Sequence, residues 1–114
     1  MAEVDQLRPR NNMSDLERNV IHAVRMTFKA MNFYHAVWDI VIEQKSPNRL
    51  DITAWIPERI TMPNGMQKPI IPIHFSHVGE PMREFTDVSY IPIARELMKE
   101  MTRAFQMGAQ YKQG

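Results

Sequence analysis

The sequence predicts a two-layer α+β domain, an antiparallel meander of three or four strands flanked by an N-terminal and a C-terminal helix. Three observations predict it. Residues 33–44 and 50–56 alternate apolar and polar side chains with the two-residue period of a pleated strand. Asn64-Gly65 supplies positive φ at both central positions of a tight hairpin. Residues 14–32 and 89–108 instead repeat their apolar residues every three to four positions, the period of a helix lying on a core.

The first helix opens at Ser14, whose partner Glu17 three residues on completes a capping box, and Asn32 is placed to close it. Its apolar stripe is Leu16, Val20, Ile21, Val24, Phe28 and Met31. Arg18, His22, Arg25 and Lys29 line the opposite side at steps of four, three and four. Such a row suits either solvent or phosphate, so it carries an alternative reading: a nucleotide or single-stranded nucleic-acid binder in which Phe85 or Trp55 stacks on a base.

The first strand is expected over residues 33–44 with Tyr34, Ala36, Trp38, Ile40 and Ile42 on one face, and the second over residues 50–56 with Leu50, Ile52, Ala54 and Ile56 inward. Two registers keep these faces together. One sets Glu43 opposite Asp51; the other sets Lys45 opposite Asp51 and Glu43 opposite Thr53. The second is preferred, because like charges directly opposite destabilise a ladder. Asn64-Gly65 then joins residues 58–62 to a third strand over 66–75, which puts Ala54 opposite Phe75 and Trp55 opposite His74. Pro69 and Pro72 cannot donate to a ladder, so this strand is expected at an edge. Residues 76–90 form the longest connection, with a possible short strand over 84–90. Ser89 caps the last helix, Pro92 sits in its first turn, and Ile93, Leu97, Met98, Met101, Ala104 and Phe105 face the core up to Gly108. Residues 1–12 read as a flexible arm and 109–114 as a polar tail, leaving 13–108 as one domain.

On the preferred register, the second sheet face carries Val37, Val41, Trp55, Ile70 and His74, with Val41, Trp55 and His74 side by side. That is more apolar than a solvated face, and it predicts a protein interface. Ten methionines, adaptable on contact surfaces, agree with it.

Composition excludes several classes. The formal charge is +1, with no basic tail to hold nucleic acid by counterion release. There is no cysteine, hence no disulfide or thiolate chemistry. No apolar run approaches the ~18 residues of a membrane span, and no signal peptide opens the chain; a cytoplasmic protein without membrane contact is expected. His74 and His77, three apart on a strand, point to opposite faces and cannot share a metal. Glu43-Gln44-Lys45 with Asp39 is similar to the acidic-x-Lys triad of some nucleases, but both carboxylates lie on one strand, about 13 Å apart. No Gly-rich phosphate loop or nucleophile elbow is present. The order helix, three strands, helix resembles double-stranded-RNA-binding domains. Those begin their second helix with lysines, whereas this chain has Ile91-Pro92-Ile93-Ala94-Arg95-Glu96, so their function does not carry over.

The expectation is therefore a small non-enzymatic binding protein needing no cofactor. It is expected to be homo-oligomeric or to engage another protein in the manner of an inhibitor or adaptor, and it is compatible with a phage or mobile-element accessory role.

Overall fold

A computed structural model describes residues 13–62, 68, 69 and 71–113, with side chains up to residue 106. The elements run α1 (Asp15–Ala30), β1 (Asp39–Ser46), β2 (Arg49–Trp55), β3 (Ile73–Val78), a short 3-10 turn (Phe85–Asp87) and α2 (Tyr90–Gln113). The strands form one antiparallel sheet in the order β1-β2-β3, the expected meander. Both helices pack on the same face of it. Leu16, Val20, Val24 and Phe28 of α1 and Ile93, Ala94, Leu97 and Met101 of α2 share one buried cluster with Ile40, Ile42, Leu50, Ile52, Ala54 and Ile73 of the sheet.

α1 begins as its sequence requires. Ser14 Oγ accepts from the Glu17 N–H (3.1 Å), and Glu17 Oε1 accepts from the Ser14 N–H (2.9 Å). The other oxygen of Glu17 reaches across to the Gln44 N–H of β1 (2.7 Å), so one carboxylate caps the helix and fastens it to the sheet. At the far end Asn32 takes φ 57°, in the left-handed region. The Asn32 N–H donates to Lys29 O, the Phe33 N–H donates to Phe28 O, and the rings of Phe28 and Phe33 meet at 5.2 Å: the hydrogen bonds and apolar contact of a Schellman end.

Three sequence expectations are corrected. First, β1 starts at Asp39, not Phe33, and Tyr34 is 55% exposed. Arg25 holds residues 35–38 in a turn by donating to Trp38 O (2.7 Å) and His35 Nδ1 (2.9 Å), while the His35 ring lies 5.4 Å from Phe28. Burial and the nearby Arg25 and Lys29 charges lower the His35 pKa, which favours the neutral ring that can accept from Arg25.

Second, the registers differ. Glu43 stands opposite Asp51, the arrangement the sequence argument rejected. A bulge between Gln44 and Ser46 absorbs Lys45, leaving a two-residue turn at Pro47-Asn48. Local counterions relieve the like charges, with Arg49 Nε 2.9 Å from Asp51 and Lys45 Nζ 3.4 Å from Glu43. Independently, β3 pairs two residues out of the register counted from Asn64-Gly65, with Ala54 opposite Ile73, Thr53 opposite His74 and Ile52 opposite Phe75. A two-residue slip keeps every side chain on its own face, so the core composition survives it.

Third, β3 lies at an edge as expected but runs from Ile73 to Val78, beyond both prolines. The Asn64-Gly65 turn falls outside the described residues. Residues 84–90 hold the 3-10 turn rather than a strand, and α2 continues past Gly108 to Gln113. One glycine inside a helix costs only ~1 kcal/mol, less than the rest of the helix supplies.

Candidate functional site

Both helices pack on one face, and no described helix joins the core from the opposite face of the sheet, where Val41 and Trp55 are half-buried and His74, Ser76 and Val78 are exposed. Side-chain alternation puts Asp39, Val41 and Glu43 of β1, Asp51, Thr53 and Trp55 of β2, and His74, Ser76 and Val78 of β3 on it. Neither Val41 nor Trp55 belongs to the core cluster or packs against it.

The rows of this face are Asp39 with Trp55; Val41, Thr53 and His74; and Glu43, Asp51 and Ser76. The expected row of Val41, Trp55 and His74 is therefore not formed. Val41 and Trp55 are diagonal neighbours, and His74 is separated from Val41 by Thr53. Val37 leaves the patch altogether, because it precedes β1 and packs against the core from the 35–38 turn. Ile70 lies outside the described residues. The apolar part of the face is thus narrower than the sequence suggested, and polar groups surround it.

Asp51 is the polar centre. It is 7% exposed although it sits on the open face, because neighbours close over it. Arg49 donates to Oδ1 through Nε (2.9 Å) and to Oδ2 through Nη2 (3.4 Å), and Ser76 Oγ donates to Oδ1 (2.8 Å). The Arg49 hydrogen bond, with a smaller part from Ser76, holds the Asp51 carboxyl below its ordinary range despite the opposing effect of burial. Sequence reasoning paired Asp51 with Lys45 and passed over Arg49, although the spacing Arg49-x-Asp51 on one strand was the signal for this pair. Ser76 had no such signal, since it enters only through the observed β2–β3 register.

That register also places Asp51 opposite Glu43 with Lys45 close by, the third group that the nuclease reading lacked. Asp51 spends its oxygens on Arg49 and Ser76 instead. No three His, Asp or Glu side chains converge on a metal position among the described residues. His74 and His77 lie on opposite faces of a strand that continues past both.

The basic row on α1 is largely committed to the fold. Arg18 donates to Met13 O and to Asp15 Oδ1, each at 2.6 Å, and Arg25 holds the 35–38 turn. His22 and Lys29 remain exposed. Phe85 is half-buried against the core, and its ring lies against Tyr90 with centroids 5.7 Å apart and planes 21° from parallel. On α2, Arg95, Lys99 and Arg103 border an open depression together with Met98, Thr102 and Gln106, and Glu96 and Glu100 lie 3.8 Å from Lys99 and Arg103 respectively.

No described helix is long and apolar enough to cross a membrane. No protein-family model, curated protein or solved structure matches the chain.

Proposed function

We propose that this is a small non-enzymatic binding protein that works through protein contacts on the sheet face opposite its helices. One observation carries the reading: both helices cover the same face, which leaves Trp55 and Val41 as diagonal neighbours on the other, beside the closed polar centre of Asp51, Arg49 and Ser76. An aromatic anchor beside satisfied polar groups is the composition of a contact surface, where the aromatic supplies buried area and fixed hydrogen bonds supply orientation. The occupant is a protein, either a second copy or a target held in the manner of an inhibitor or adaptor. The nucleotide alternative draws less support, since Arg18, Arg25 and Phe85 are occupied within the fold.

The test is native mass spectrometry of the wild type and of Trp55→Glu, purified in the same way. The reading expects the wild type to hold a component of its assembly that Trp55→Glu loses, with the far-ultraviolet spectrum unchanged. Equal masses for the two proteins contradict it.

A further inference from the structure

Among the described residues β3 is an edge strand of the sheet. Gly79 donates its N–H to Asn48 O (3.0 Å), which continues the register in which Arg49 opposes Val78. In an antiparallel ladder, hydrogen-bonded pairs alternate with non-bonded ones. Ile73, Phe75, His77 and Gly79 therefore turn their main-chain groups toward β2. His74, Ser76 and Val78 turn theirs outward, and no other described segment hydrogen-bonds to them.

The two edges of the sheet are treated differently. On β1 the outward Gln44 N–H is taken by Glu17 (2.7 Å), and the strand carries acids, a lysine and a bulge. β3 is Ile73-His74-Phe75-Ser76-His77-Val78, with no lysine, acid, proline or bulge, and Val78 at its end is 63% exposed. Charges, prolines and bulges are the usual means by which a protein prevents a strand edge from pairing, and β3 has none of them.

We infer that β3 is the seam of a homodimer, in which two copies pair antiparallel about a two-fold axis through Ser76 and join their sheets into one. Only a register that matches outward residues with outward residues uses the free groups. Centred on Ser76, it sets His74 opposite Val78 of the second copy and Ser76 opposite Ser76, each pair exchanging two main-chain hydrogen bonds. Side chains agree on both faces. Ser76 meets Ser76 and His74 meets Val78 on the open face, while Phe75 meets His77 on the core face, with no acid or lysine brought against a like charge. The strand is thus complementary to itself, and the two-fold closes the assembly at two copies. The inference uses main-chain groups of the edge and does not depend on what occupies the sheet face.

The test uses the full chain. Val78→Pro removes one outward N–H, leaves the Ser76–Asp51 bond in place and breaks no hydrogen bond to β2. It is expected to turn a native dimer into a monomer with an unchanged far-ultraviolet spectrum. A dimer of undiminished stability in Val78→Pro overturns the inference. Because the chain has no cysteine, introduced thiols report the register directly. Hydrogen-bonded partners sit ~5.5 Å apart at Cα, within disulfide range. Under mild oxidation Ser76→Cys is expected to cross-link to itself. His74→Cys and Val78→Cys are expected to cross-link in mixture but not separately. A monomeric wild type, a Ser76→Cys protein that does not cross-link, or a mass showing a foreign chain on the edge refutes it. The failure is separable from that of the face reading, because Trp55→Glu leaves the edge intact.

Discussion

Two side chains show how little freedom the fold leaves at single residues. Asp51 is held ionised by Arg49 and Ser76, so its folded pKa lies below the unfolded value of 3.8. A depressed carboxylate pKa adds stability that is fully present above the unfolded value and is lost as pH falls through the folded one. Asp51→Asn is therefore expected to cost about 1–2 kcal/mol at neutral pH, from weakened charge-assisted hydrogen bonds. The gap to the wild type should close in urea titrations below pH 3.8; a gap that persists there contradicts this account of Asp51. Trp38 poses the opposite problem. It is 1% exposed, its ring meets Phe105 edge-on at 5.9 Å, and its Nε1 has no hydrogen-bond partner among the described residues. Trp38→Phe removes volume but also an unsatisfied buried donor. Its cost should fall well under the ~3–5 kcal/mol typical of truncating a buried tryptophan to alanine, as denaturant midpoints of Trp38→Phe and Trp38→Ala would show.

Among the elements, α1 was the most legible. Ser14, Glu17 and Asn32 announced both its ends, because caps are local chemistry between residues three to five apart. Asn32 at φ 57° should be replaceable by glycine at little cost, while Asn32→Ala should lose about 1 kcal/mol of unfolding free energy. Equal stabilities would mean that the left-handed end is not maintained in solution. The strands were legible in composition and face but not in register. Opposing Glu43 to Asp51 looked unfavourable until Lys45 and Arg49 were seen to pair within their own strands, and a bulge at Lys45 is invisible to a pattern that counts in twos. The β3 register, counted instead from the Asn64-Gly65 turn, was separately out by two residues, and the two slips together dissolved the row of Val41, Trp55 and His74 while each of the three kept its face. The early start expected for β1 failed for a different reason. Alternation continued through Tyr34 and Ala36, but Arg25, ten residues before His35, holds that stretch as a turn.

For the molecule as a whole, the sequence anticipated the layered α+β architecture, while the second apolar sheet face it also expected is narrower in the structure, with Val37 turned to the core and Thr53 between Val41 and His74. It could not say which face the helices choose, since that depends on contacts between residues far apart in the chain. Both choose the face of Ile40, Ile52 and Ile73, and the opposite face is left to Trp55, Val41 and the Asp51 cluster. Trp55 is the natural reporter of the contact surface proposed there, because the chain has only one other tryptophan and that one, Trp38, is buried. The measurement is acrylamide quenching of the wild-type protein, as purified and after dilution. The account predicts one fully shielded tryptophan throughout and a second that is shielded in the assembled protein and becomes quenchable on dissociation. A Trp55 equally open to quencher in every state would contradict it.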